Sequence, residues 1–171
     1  KRDFKTYKRN SKQIKQNKMT GLEAERAFFE RMQKECKEVT RAEKKENQDK
    51  KYDVICDGVK YDVKGQKRLN REDTTYSDIV WLEFKNVRGD DGWLKGESDK
   101  IAFLRNKNFL IVDRVKLRDR ARSLCKNLTI LPWKEHARLY QRRGRKDIMM
   151  YVNFSDIEDL VEKTVEIEGK D

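Results

Sequence analysis

The chain has 171 residues and a mass of 20.6 kDa, enough for one domain with a real core and too short for two comfortable ones. Charged residues make up 43% of it and hydrophobic residues 36%, with a formal net charge of +11, so the core is modest and the basic surplus suits a polyanionic partner. No stretch approaches the ~18 consecutive apolar residues of a membrane span, and no apolar run follows KRDFKTYKRN to make a signal peptide; the expectation is a cytoplasmic protein with no membrane contact.

In chain order, Lys1 to Lys18 carries eight basic residues against the single acid Asp3 and has little apolar periodicity, which reads as a mobile basic arm. Thr20 is placed to cap a helix from Gly21 to about Glu35. A strand around Glu38 to Arg41 follows, then the polar loop KKENQDK, then a hairpin in KYDVICDGVKYDVKGQKR. DIVWLEFKNV, the turn GDDG and WLKG read as a second hairpin. SDKIAFLR is either a short helix or a turn into the strand NFLIV. DRVKLRDRARSLCKN has helical spacing, Pro132 marks a turn in LTILPW, DIMMYVNF is a strand and SDIEDLVEK a short helix. From Asp156 to Asp171 there are seven acids and two lysines, an acidic terminal element opposite in sign to the arm. The mixture predicts an α/β fold, a central mixed β-sheet flanked by helices. The expected organisation is a basic arm over 1–18, one domain over 19–155 and an acidic element over 156–171.

Cys36, Cys56 and Cys125 lie far apart without C-x-x-C spacing, which argues against a disulfide framework, a zinc site or an iron-sulfur cluster and for small buried thiols. His136 is the only histidine, so a histidine metal triad is excluded.

Asp57-Gly58 is the preferred chemistry for a two-residue type I′ turn. That register sets Cys56 against Val59, Ile55 against Lys60, Val54 against Tyr61 and Asp53 against Asp62. Alternation then puts Tyr52, Val54, Cys56, Val59, Tyr61 and Val63 on one face, and Asp53, Asp62 and Lys64 on the other. Opposed carboxylates at a Cβ separation of ~4.5–5.5 Å repel unless a positive charge lies between them. A hard divalent cation would fill that role; a solvated hairpin face on which Lys51 and Lys64 screen the acids would show the same sequence. In the first helix Glu25 falls in the middle of an apolar arc of Leu22, Ala24, Phe28, Phe29, Met32 and Cys36, where an unpaired carboxylate is expensive. It is expected to reach a cation, a hydrogen-bond donor or a wet cleft.

The order helix glutamate, strand aspartate, then D-x-K resembles the PD-(D/E)XK nuclease superfamily. TGLEAERAFFERM is similar to its first helix, KYDVICDG to the strand bearing the first aspartate, and YDVKGQK matches D-x-K. The likeness spans Gly21 to Lys67. Asp53 follows Tyr52 where the motif name has proline, and Asp62 stands where many members have glutamate. No Q-x-x-x-Y follows, which sets the chain apart from RecB-like exonucleases, and the segments WLEFKN and GWLKGESDKIAF resemble small phage and bacterial members, which implies a bacterial or phage-infected cell.

The resemblance implies a restriction-endonuclease-like core and a Mg²⁺-dependent phosphodiesterase, with Mn²⁺ able to substitute, cutting DNA as an endonuclease. Asp53, Asp62 and the Val63 carbonyl would hold the metal, Glu25 would complete or orient that shell, and Lys64 would position the attacking water. Lys67, Arg142, Arg143 and Arg145, the basic run LRDRAR at Leu117 to Arg122 and the arm would meet phosphates, with Trp93 and Tyr76 stacking on bases; Trp81 and Phe84 are expected in the core. Gln66 lies just past the site. RNA in place of DNA and a homodimer both remain open at this point. The alternative is a nucleic-acid-binding module on the same fold without catalytic activity; a further one is a protein-binding domain that uses the acidic C-terminal element.

Overall fold

A computed structural model describes residues 21–76 and 78–167, so the expected arm, the Thr20 cap and residues 168–171 lie outside the described residues. Helix α1 (Gly21–Glu35) buries Ala24, Phe28 and Met32, one residue per turn on a single face. That face lies on the sheet, where the Phe28 ring centre is 5.2 Å from that of Tyr61 and 5.1 Å from that of Phe109. Leu22 departs from the expected apolar arc: it is 73% exposed and borders a cleft.

Strands β1 (Val39–Arg41), β2 (Val54–Cys56) and β3 (Val59–Lys64) form an antiparallel meander. Asp57 and Gly58 both have positive φ, 47° and 83°, as a type I′ turn requires, and the register is Cys56↔Val59, Ile55↔Lys60 and Val54↔Tyr61. Between β1 and β2 the segment expected as a loop is helix α2 (Lys44–Lys50). Lys, Glu and Gln are good helix formers, and Glu46 stands four residues before Lys50. The helix buries no residue, so the sequence shows no apolar period there; it ends at Lys51, which is left-handed at φ 62°.

β3 runs parallel to β5 (Lys100–Arg105), which resolves SDKIAFLR as strand; β5 and β6 (Asn108–Asp113) form an antiparallel hairpin. Asp113 caps helix α3 (Arg114–Leu124) by accepting from the Lys116 N–H at 3.0 Å. The acidic terminal stretch makes two short 3₁₀ turns in place of the expected helix, then strand β8 (Val161–Glu166) at the sheet edge beside β6. Among the described residues the main sheet therefore has six strands in the order β1-β2-β3-β5-β6-β8.

β4 (Ile79–Lys85) does not join this sheet. It pairs antiparallel with β7 (Ile148–Asn153) in a separate two-stranded sheet. The expected hairpin after β4 is reduced to a single antiparallel bridge, Lys85 to Asp91, closed by the Asn86 N–H to the Asp90 carbonyl and the Gly92 N–H to the Phe84 carbonyl, both at 2.9 Å. WLKG is a 3₁₀ turn, because Trp93 and Leu94 enter the core instead of pairing as a strand. β5 is buried on both faces, as its continuous apolar reading requires: Ala102 and Leu104 meet α1, while Ile101 and Phe103 meet Trp93, α3, β4 and β7. The result is an α/β arrangement with helix α1 on one face of a mixed sheet and the small sheet with α3 on the other. No described helix is long and apolar enough to cross a membrane.

The cysteines correct the sequence reading. Cys36 and Cys56 form a disulfide with Cα atoms 5.9 Å apart, and Cys125 is free. The end of α1 and the tip of the hairpin come together only through tertiary packing, so linear spacing gives no sign of it. The Asp57 carboxylate ties the same corner, accepting from the Glu38 N–H at 2.8 Å.

Candidate metal centre and basic groove

Asp53 and Asp62 are both buried, at 6% and 3% exposure. They meet by a different route from simple register. The Asp53 N–H donates to the Tyr61 carbonyl at 2.8 Å although Tyr61 is already paired with Val54. Two residues of one strand thus face one of the other, as in a β-bulge. The bulge corrects the predicted direct opposition of Asp53 to Asp62. Tyr52 is corrected with it: the Lys60 ammonium stands 5.0 Å from its ring centre, on the face away from Val54. From the bulge the Asp53 carboxylate turns along β3, where Oδ2 accepts from the Val63 N–H at 2.7 Å and Oδ1 accepts from the Asn47 amide of α2.

Asp62 Oδ1 lies 3.1 Å from Lys64 Nζ, whereas Oδ2 is buried and accepts no hydrogen bond from any described residue. Burial, with the Asp53 carboxylate adding to it, outweighs the Lys64 ammonium and pushes the Asp62 pKa up to about 8. A buried carboxylate oxygen without a donor, beside a second carboxylate whose oxygens each accept one hydrogen bond, is a donor set suited to a hard divalent cation. Asp53 and Asp62 therefore fit such an ion, and Val63 borders the same cavity. Cys36, Cys56 and Asp57 also cluster, but their two sulfurs are bonded to each other.

One cavity of about 510 Å³ gathers Glu25, Asp53, Asp62, Val63 and Lys64. Glu25 is partly buried and pairs with Arg41 of β1 at 2.9 Å, which supplies the cation that its place on α1 demands. Lys64 is held between Asp62 and the face of Trp93, with its ammonium 4.9 Å from the ring centre. Trp93 is a correction to the base-stacking expectation: at 5% exposure, packed edge-on against Phe103, its ring has no free face for a base.

Asn47 and Glu83, which also line this cavity, escaped the sequence reading. Asn47 did so because its helix was taken for a loop. Glu83 of β4 enters from the second sheet, and its pKa is raised by burial against the opposing pull of the Lys64 ammonium and the Trp93 N–H. Gly92 permits this approach, since a Cβ there would stand 2.8 Å from the Glu83 Cγ. A usable signal did exist: Trp81 and Glu83 share the strand parity opposite the buried Val80 and Leu82.

Lys64, Glu83 and Trp93 also border a second groove of about 1130 Å³. Lys67, Arg142, Arg143 and Arg145 all line it, as do Gln66 and Tyr76. Arg68, Arg71 and Lys134 line it too and were not singled out from sequence. Arg142 is partly engaged, since it pairs at 2.8 Å with Asp147, a buried carboxylate whose other oxygen has no partner among the described residues. The run LRDRAR lies elsewhere on α3: Arg120 pairs with Asp159 at 2.6 Å and Arg118 with Asp119 at 3.3 Å, and neither borders the groove. Trp81 is corrected from core to groove floor, being only partly buried, whereas Phe84 packs against the core. His136 has a structural role, bonding Asp156 at 2.8 Å and lowering that carboxyl's pKa.

Compared with protein-family models, curated proteins and solved structures, the chain matches none. The site combines a buried acid pair, an ammonium held beside it and a cationic groove leading away.

Proposed function

We propose that this protein is a metal-dependent phosphodiesterase that cuts DNA as an endonuclease, built on the restriction-endonuclease-like core of the PD-(D/E)XK superfamily that its sequence resembles. The observation that carries this reading is the buried Oδ2 of Asp62, which no described donor reaches, in a cavity that also holds Asp53, Glu25 and Lys64 and opens onto a basic groove. Asp53 and Asp62, with the Val63 carbonyl, would hold Mg²⁺ or Mn²⁺. A bound ion of this kind lowers the pKa of a coordinated water and offsets charge that develops on the phosphoryl oxygens.

The rest is the work of the protein's own groups. Lys64 is fixed by Asp62 on one side and the Trp93 face on the other, so its ammonium can donate to an attacking water with little loss of side-chain freedom. Val63 N–H and Asn47 fix the orientation of Asp53, and Arg41 fixes Glu25 at the rim. Cations along the adjoining groove would hold the scissile strand by its phosphates without choosing sequence.

The binding-module reading has one observation in its favour: Glu25 and Asp53 already have protein partners in Arg41 and Asn47. One experiment decides between the two. Covalently closed circular DNA, single- and double-stranded, is incubated with the protein in Mg²⁺, Mn²⁺ or EDTA, with Asp62→Asn in parallel. The expected result is cation-dependent linearisation that the variant lacks. Binding without cutting in every condition would overturn the enzyme reading in favour of the module.

A further inference from the structure

The groove beside the acid site has an aromatic floor as well as cationic walls. Trp81 of β4 and Tyr140 lie with ring centres 6.0 Å apart, both partly exposed to the groove. The Trp81 ring is held in place by its indole N–H, which donates to the Arg68 carbonyl at 3.2 Å. Arg68 and Arg71 stand on the wall formed by the segment after β3, and Arg143 and Arg145 on the wall before β7. Lys134 reaches across: its ammonium is 5.8 Å from the Trp81 ring centre and 5.9 Å from that of Tyr140, and it donates to the Leu69 carbonyl at 2.9 Å and the Asn70 side-chain oxygen at 3.2 Å. Both of these acceptors are neutral, so a phosphate would be a stronger partner for this ammonium than those it has.

A duplex meets a protein with its phosphates and groove edges, and its base faces are hidden in the stack. Rings at the bottom of a concave groove would then have nothing to touch. An unpaired strand offers both surfaces at once, base faces to aromatic rings and phosphates to cationic walls. We propose that this groove binds an unpaired nucleic-acid strand, with a base stacked on the Trp81–Tyr140 floor and the flanking phosphates held by Lys134 and the arginine walls. This deepens the proposed function, because Lys64 and Glu83 border both cavities and the strand would pass from the floor to the acid pair. It does not depend on cleavage.

The test is binding in EDTA, where no cation-dependent reaction runs. Fluorescence anisotropy at one fixed salt concentration compares labelled single-stranded DNA and RNA 12-mers with the corresponding 12-bp duplexes. The single strands are expected to bind at least tenfold more tightly than the duplexes, and the DNA and RNA arms report which sugar is preferred. Trp81→Ala and Tyr140→Ala should each weaken single-strand binding by ~5- to 150-fold, the range that corresponds to one stacked base, while duplex binding changes little and Trp81→Phe restores most of the loss. Should an alanine variant not fold, wild-type protein is photo-cross-linked to a single strand that carries 5-iodouracil, with the adducts expected on Trp81 or Tyr140. Duplex binding as tight as single-strand binding, folded variants with wild-type affinity, or cross-links confined to other residues would overturn the proposal. Strand binding without any cleavage would count against the enzyme reading alone, and cleavage that prefers duplex would count against the groove proposal alone.

Discussion

Replacing Asp62 with Asn should make the cation-free protein more stable at neutral pH, which is the reverse of what loss of a native ion pair with Lys64 would do. In the folded state the Asp62 carboxyl is held up to about 8 by burial and by Asp53, against an ordinary value of 3.8. Between those two values the folded chain keeps a proton that the unfolded chain has released, so stability falls as pH rises through that interval and levels off above about 8. Each pKa unit is worth ~1.4 kcal/mol, and roughly three units separate the ordinary value from pH 7, so the cost there is on the order of 4 kcal/mol. Asn keeps the shape and removes the titration, and desolvation of its amide subtracts from the gain. At ~2–4 °C per kcal/mol for a chain of this size, Tm should rise by ~8–16 °C at most. Thermal and urea unfolding of both proteins from pH 5 to pH 9 in EDTA measures this. The wild type should lose stability along that ramp more steeply than the variant. Parallel pH profiles, or a variant less stable than the wild type at pH 8, would refute the reasoning.

Other changes separate roles within the site. Lys64→Met should fold and bind nucleic acid yet lose ~10²- to 10⁴-fold in single-turnover cleavage, as expected when a group that positions the nucleophile is removed; a wild-type rate would show that the ammonium only screens Asp62. Arg143→Ala should lower strand affinity with no change in Tm, whereas Arg142→Ala should lower both, because it strips the buried Asp147 of its cation; equal Tm values in the two variants would show that this ion pair contributes nothing to folding. Gly92→Ala should displace the Trp93 turn from Glu83, which circular dichroism in the near ultraviolet and a lower Tm would register; an unperturbed Tm would mean that β4 and the turn yield easily.

The parts of this molecule that were legible in sequence are those governed by local chemistry. The Asp57-Gly58 pair fixed the hairpin register, and the spacing of Ala24, Phe28 and Met32 fixed the buried face of α1. Helix α2 was hidden because a helix that buries nothing leaves no apolar period, and Asn47 was hidden with it. The bulge at Asp53 goes with two hydrogen bonds to its carboxylate, from the Val63 N–H and from Asn47, which alternation along a strand cannot express. Non-local pairing was equally silent: nothing in DIVWLEFKNV specifies β7 as its partner, and that pairing is what brings Glu83 toward Lys64 and Trp81 into the groove. Lys134 joins the groove from a segment 64 residues beyond Asn70. Trp93 illustrates the opposite error, since an aromatic between charged turns looks available for stacking until the 3₁₀ turn buries it.

The most direct measurement is calorimetric titration of Mn²⁺ into the wild type and Asp62→Asn at pH 7, repeated in buffers of different ionisation enthalpy. If Asp53 and Asp62 share a cation, the wild type binds one ion and releases about one proton as it does so, because the carboxyl that must ionise sits at about 8 before binding, and the variant loses this event. Equal Mn²⁺ binding by the two proteins, or binding with no proton released, would contradict the account.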